Sequence, residues 1–291
     1  MMKSVQLGYM SRVISLYFSL SLFAFAHASS LPQDARLVVT GGTLTDVVFA
    51  LGAEARVVAV DSSSLSPARA QQKPVVGYYR ELAAEGVLSV QPTHVWALAG
   101  TGSKQTLRQI ERAGVQVEHF AKPESVADLL QLITHVSGRL NASEQGHALR
   151  AEIEHQLERF NAQQPPADST PRGLFILQAS ERGVVTAGTD TVPDLLFGYA
   201  HVDNLVAHQG YKAVSREYLA LHQADFLMAP QHVVDAAGGP EAFCAQPTLR
   251  LVTAAQECRL LVMDSLLALG MTTQVATAIQ QVIQYAYQHD V

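Results

Sequence analysis

The chain has 291 residues, 48% hydrophobic and 16% charged, which supplies apolar mass for one or two packed cores and argues against a polytopic membrane protein. Lys and Arg total 20 against 26 Asp and Glu, a net charge of -6, and the 11 His are scattered, so no cationic face is available for general nucleic-acid binding. No segment reaches the roughly 18 uninterrupted apolar residues of a membrane span.

Lys3 and Arg12 precede an apolar run from Val13 to Phe25 and then Ala26-His27-Ala28, the order of a cationic start, a short hydrophobic middle and a small-x-small cleavage site. Residues 1–28 are expected to be a secretory signal, cut before Ser29. Its loss removes two cations and no anions, so 20 against 26 becomes 18 against 26. No Cys follows the cut, so no lipid tether is expected there, and the mature chain is expected to be free beyond the inner membrane.

After the signal, Arg36–Val39 reads as a strand, Gly41-Gly42 as a turn, and Thr43–Leu51 as a helix capped by Thr43 with Asp46 three residues on, ending at Gly52. Val57–Val60, Thr93–Leu98 and Val115–His119 read as further strands, with a helix over Lys104–Ala113 that stops at Gly114. This alternation predicts a mainly parallel sheet covered by helices. From Ser125 to Phe160 the pattern is helical, interrupted near Gly138–Asn141, and it breaks into a Pro-rich polar stretch ending at Pro171.

The rhythm then restarts with strands at Leu174–Gln178, Val184–Ala187, Phe226–Ala229 and Leu260–Met263, a helix at Pro193–Phe197, and a final helix over Thr273–Tyr287. The expected fold is α/β: two pseudo-symmetric lobes with central, mainly parallel sheets, joined by one long helix, with a ligand cleft between them. The boundaries expected are 29–138 for the first lobe, 139–165 for the connecting helix and 166–291 for the second lobe. The stretches Glu85–Val95 and Glu217–Leu227 echo each other, each a Glu opening a short helix before a strand.

Only Cys244 and Cys258 are present. Two Cys cannot complete a tetrahedral zinc site; an exported compartment permits a disulfide, two buried thiols being the alternative. No nucleophile elbow, His-Glu-x-x-His, phosphate loop or dinucleotide fingerprint occurs, which lowers the expectation of an enzyme. A secreted chain of two α/β lobes without these motifs suits a clamp that holds a ligand between its lobes.

The stretch from Pro74 to Pro92, with Gly77-Tyr78-Tyr79-Arg80 followed by Ala84-Glu85-Gly86-Val87-Leu88, resembles the periplasmic haem-binding proteins of bacterial haem ABC importers. Gly41–Asp46, Val57–Asp61 with Ser62–Ser64, Gly210–Lys212 with Ser215, and Val262–Asp264 with Leu266–Gly270 agree with it. These segments are shared with binding proteins for ferric siderophores and corrinoids, which stay the alternative. A secreted metal-dependent enzyme or metallochaperone is the more distant rival, and the His spacing shows no ligand motif for it.

The resemblance implies a monomeric carrier that takes ferric haem b as its transported ligand and hands it to an inner-membrane ABC permease dimer with its ATPase. Tyr78 would be the axial ligand, a hard phenolate donor suited to ferric iron. Arg80 would bond the phenolate oxygen or pair with a propionate; Tyr79 would stack on the porphyrin or cover the core. Where some relatives carry a second-lobe His, this chain has Ala179, which implies one five-coordinate haem unless His201 or His208 reaches the cleft. Glu85 and Glu217 match the acidic residues that dock this class onto its permease, one on each lobe.

Overall fold

In the computed structural model, which describes residues 30–162, 170–180 and 183–288, the first apolar run forms β1 at Leu37–Thr40, buried throughout. The expected signal, residues 1–28, lies outside the described residues. Gly41, at φ 98°, turns the chain into α1, Gly42–Ala50, a conformation glycine adopts without a Cβ penalty. The expected Thr43 cap is corrected here: the helix starts a residue earlier and has no side-chain cap, because Thr43 and Asp46 lie buried inside it. Asp46 instead reaches across to the other half of the molecule.

Strand β2 (Val57–Val60), helix α2 (Ala84–Ser89), strand β3 (His94–Leu98), helix α3 (Lys104–Arg112) and strand β4 (Gln116–Phe120) complete the first lobe. Its sheet runs β2-β1-β3-β4, every pair parallel, with Leu37 of β1 opposite both Val57 and His94. Helix α4 (Val126–Leu140) begins at a capping box of Ser125 and Asp128 and ends at Asn141 in the left-handed conformation, which is the break expected near that point. Helix α5 (Ser143–Ala162) then runs for 20 residues toward the second lobe.

The second lobe comprises β5 (Arg172–Ser180), β6 (Gly183–Ala187), α6 (Val192–Tyr199), β7 (Asp203–Asn204), β8 (Tyr211–Val214), α7 (Arg216–Leu221), β9 (Phe226–Pro230) and α8 (Gln231–Ala236). It continues with α9 (Pro240–Cys244), α10 (Thr253–Gln256), β10 (Leu260–Met263), α11 (Ser265–Leu269) and α12 (Val275–Gln288). Strands β7-β5-β9-β10 are parallel neighbours, the same arrangement as β2-β1-β3-β4. The second lobe adds an antiparallel pair, β6 and β8, on the far half of β5. Sequence patterning does not reveal β8 as a strand, since only Val214 of its four residues is buried.

The echo between Glu85 and Glu217 is a structural repeat. Helices α2 and α7 each have six residues with the Glu second, and the next strand opens nine residues after each Glu, at His94 and Phe226.

One continuous cluster of buried side chains draws on both lobes: Val39, Leu44 and Ile133 from the first, Ile153 and Leu157 of α5, and Phe175, Leu196 and Ile279 from the second. A shared, close-packed core resists relative motion of the parts that line it. Cys244 and Cys258 are joined by a disulfide that pins α9 to the segment before β10, across 14 positions of sequence.

Candidate functional site

Both sheets point the carboxyl ends of their parallel strands at one interlobe cavity of about 630 Å³. Open α/β sheets place ligands there, because loops leaving neighbouring strands diverge and leave a crevice. Gly41 and Gly42 follow β1, Ser62 and Ser63 follow β2, Leu98 ends β3 and Lys122 follows β4. From the other side come Leu177 of β5, Tyr211 of β8, His232 after β9, and Ser265, Leu266 and Leu269 after β10.

The first-lobe floor is fixed by Asp61, a buried carboxylate that accepts from Gly41 N–H (2.7 Å), Ser63 N–H (2.8 Å) and the Ser64 hydroxyl (2.9 Å). Three donors on one carboxylate lock the loops after β1 and β2 to each other. The segment before Tyr78 is laid against β2: Val60 N–H donates to Pro74 O, Val76 N–H to Val60 O and Ser62 N–H to Gly77 O. Gly77 sits at φ 112°, and a Cβ built there meets nothing, so the dihedral alone demands glycine. A short turn over Tyr79–Glu81, closed by Glu81 N–H on Tyr78 O at 3.0 Å, holds Tyr78 at the lip of the cavity with 43% of its surface exposed.

Tyr78, Tyr79 and Arg80 form one stack. The Tyr78 and Tyr79 rings meet edge to face with centroids 5.1 Å apart, and the Arg80 guanidinium lies over the Tyr79 ring at 5.4 Å while its Nε donates to Tyr79 Oη at 2.8 Å. That hydrogen bond, and after it the charge of the Tyr79 and Tyr78 oxygens, raises the Arg80 pKa further above its ordinary value. Arg80 is thus held chiefly by Tyr79, a partner absent from the two sequence-derived expectations for it, and more weakly by the Tyr78 oxygen that one of them named, while Tyr79 buttresses both Tyr78 and Arg80.

The charge of this cavity opposes that of the molecule. Arg80, Lys122 and His232 line it, and no Asp or Glu does, in a chain whose net charge is -6. Three of the five large hydrophobic side chains exposed among the described residues, Leu65, Tyr78 and Tyr211, also line it. Surrounding protein pushes the Tyr211 phenol up to about 12 by desolvation, so that side chain stays neutral.

Of the other residues singled out by sequence, His201 and His208 stay out of the cavity. His201 pairs with the Phe160 carbonyl, and His208 with the Thr186 hydroxyl beside a separate pocket. Ala179 packs on the second-lobe core, and Leu177 is the β5 residue that faces the cleft. Glu85 and Glu217 are exposed, away from the cavity, and make no salt bridge among the described residues. Glu217 is held below the usual carboxylate range by a bond to its own backbone N–H and then by the Ser215 hydroxyl.

Sequence reasoning missed Lys122 and His232 and passed over Tyr211 inside a quoted motif. Each is at or near a strand end, a signal that becomes usable only once the sheet order is known.

Behind the cavity the lobes are tied by Asp46. Its carboxylate, 2% exposed, accepts from the backbone N–H and the hydroxyl of Thr273, both at 2.7 Å. Gln274 Nε2 donates to Ser66 Oγ at 2.6 Å alongside. Burial raises the Asp46 pKa, with the Thr273 and Gln274 hydrogen bonds pulling the other way.

The family described as periplasmic binding protein matches residues 37–267. Among solved structures the chain is similar to "Periplasmic heme-binding protein BhuT in complex with two hemes", at 30% identity and TM-score 0.77 over 87% of this chain and 97% of that one. It is similar also to the periplasmic heme-binding protein RhuT from Roseiflexus sp. RS-1, at 29% identity and TM-score 0.80 over 88% and 98%. A curated relative, the vitamin B12-binding protein of Vibrio parahaemolyticus, is 21% identical over 77% of this chain and 80% of its own length. With most of its length matched by that family and by solved members of the same two-lobed architecture, the chain belongs to the periplasmic binding protein family.

Proposed function

We propose that this protein is an exported carrier that takes up haem in its interlobe cleft, with Tyr78 as axial ligand to ferric iron, and delivers it to an inner-membrane ABC permease. The observation that carries this is an exposed phenol at the rim of an apolar cavity that holds two cations and no carboxylate. A phenolate is a hard anionic donor, and the ferric charge supplies the drive to deprotonate it. Arg80 and Lys122 suit the two propionates, and Leu65, Leu266 and Leu269 suit the porphyrin faces. The haem-binding solved relatives support this reading.

A corrinoid is the second reading, supported by the curated relatives named as vitamin B12-binding proteins. A corrinoid offers the two cations no pair of carboxylates, which ranks it below haem for this cavity. A hemin titration followed by absorbance separates the two. Haem predicts a saturating Soret band that changes shape in Tyr78→Phe; a corrinoid predicts no specific band and tight binding of cyanocobalamin.

Glu85 and Glu217, at equivalent places in the two lobes, are proposed as the permease contacts. Glu85→Arg and Glu217→Arg should each lower carrier-dependent ATPase activity of the reconstituted permease several-fold while leaving the hemin titration unchanged. A variant that alters the titration itself would remove that residue from the docking assignment.

A further inference from the structure

We propose that Tyr79 is a positioning residue: by taking Nε of Arg80 onto its phenol oxygen, it turns that guanidinium away from the Tyr78 oxygen and toward a carboxylate of the bound tetrapyrrole. The inference rests on the haem reading above and adds which of two tasks Arg80 performs in it.

Arg80 lies beside one phenol that it bonds and two residues from a phenol that would carry iron. Both oxygens are acceptors within its reach, and the structure divides it between them unequally. Nε donates to Tyr79 Oη at 2.8 Å, with the guanidinium 5.4 Å from the centre of the same ring, while the pull of the Tyr78 oxygen is the weaker. A guanidinium carries five N–H donors in a fixed plane, so committing Nε to one partner restricts where the other four can point. Arg80 makes no salt bridge among the described residues, and no Asp or Glu lines the cavity, so its terminal nitrogens meet no protein carboxylate there. They suit an anionic group carried in by the ligand.

Tyr79 can hold Arg80 because it is itself held. Its carbonyl accepts from Gly102 N–H at 2.7 Å, and its ring meets the Tyr78 ring edge to face. A Cβ built on Gly100 would lie 3.8 Å from Tyr79 Cε2, so the ring rests on the loop that follows β3. Tyr79 is half-buried, whereas Tyr78 and Arg80 on either side of it are exposed. The middle residue of the three is the anchor.

The division matters to the iron. A cation bonded to a phenolate draws density from the oxygen and makes it a weaker donor, one of the levers by which a protein tunes a haem. With Arg80 engaged by Tyr79, the Tyr78 oxygen keeps its density for the metal. The same cation then favours a ligand with free carboxylates over one whose carboxylates are blocked.

The experiment titrates wild type, Tyr79→Phe, Arg80→Ala and the double variant with hemin and with hemin dimethyl ester, whose propionates carry no charge, and records the tyrosinate-to-iron charge-transfer band. Tyr79→Phe keeps the ring and its edge contact and removes only the oxygen that Arg80 bonds. Wild type should prefer hemin over the ester, and Tyr79→Phe should lose about two- to fivefold of that preference, the range for one exposed ion pair, reaching the value of Arg80→Ala. Its charge-transfer band should move to shorter wavelength as Arg80 turns to the Tyr78 oxygen, and in the Arg80→Ala background the Tyr79 change should move neither quantity. A Tyr79→Phe variant with the wild-type preference and band overturns the proposal. So does a band shift that persists without Arg80, since Tyr79 would then act on Tyr78 directly. A band unchanged in Tyr78→Phe would instead overturn the haem reading beneath it.

Discussion

The two walls of the cleft share a topology and differ in chemistry. Strands β2-β1-β3-β4 and β7-β5-β9-β10 are arranged alike, and α2 and α7 match in length and in the place of their Glu. Yet the first wall carries Tyr78, Arg80 and Lys122, while the second offers Leu177, Leu266, Leu269 and a neutral Tyr211 beside His232. Parallel strands supply only the place; the loops leaving them supply the chemistry, and loops tolerate change that strands do not. The lobes differ where they line the cavity and match in α2 and α7, the helices that carry the two Glu proposed as permease contacts.

The sharpest way to break that comparison is to treat the two tyrosines alike. Tyr78→Phe should weaken hemin binding by about 100-fold or more, roughly 3 kcal/mol, and Tyr211→Phe by less than about tenfold. Equal losses would mean the walls are interchangeable. An alkaline absorbance titration checks the premise, since Tyr211→Phe should delete a phenol ionising at about 12. Next in size is a feature of the second lobe alone, the Cys244–Cys258 bridge. Replacing both Cys with Ala should lower unfolding stability by about 3 kcal/mol in urea, the chain-entropy value for a loop of this length, with hemin binding retained.

Most of the fold was legible in the sequence because parallel strands buried on both faces read as short apolar runs between helices, as at Leu37–Thr40 and Phe226–Pro230. Strand β8 escaped because its side chains are mostly exposed, and Asp46 was misread as a cap partner because its true partner, Thr273, is 227 positions away. Tyr78 was legible through a local motif whose Gly77 answers a backbone requirement. His232 and Lys122 carry no local signal, since what brings them to the site is the order of strands.

Asp46 tests how firmly the walls are coupled. Asp46→Ala leaves the Thr273 N–H without its acceptor and should cost about 2 kcal/mol of stability. Its pKa is raised in the folded state, so the stability it adds is fully present below its ordinary value of 3.8 and declines as pH climbs through the raised one. The advantage of wild type over Asp46→Ala in urea unfolding should therefore be largest in acid and shrink toward neutrality; growth toward neutrality would contradict the desolvated placement of this carboxyl.

The smallest expected effects belong to the two cations. Arg80 and Lys122 are both exposed, and exposed ion pairs contribute about 0.2–1 kcal/mol, so Arg80→Ala and Lys122→Ala should each weaken hemin binding by less than about tenfold. What distinguishes them is salt and partner. Lys122 makes no salt bridge among the described residues, so its loss should act as a screened point charge, vanishing as ionic strength rises. Arg80 is stacked on Tyr79 and bonded to it, so Arg80→Ala also frees the ring that buttresses Tyr78 and should leave a loss that salt does not erase. Binding measured at low and high salt separates the two, and identical salt profiles would mean that the stack is not what orients the first wall.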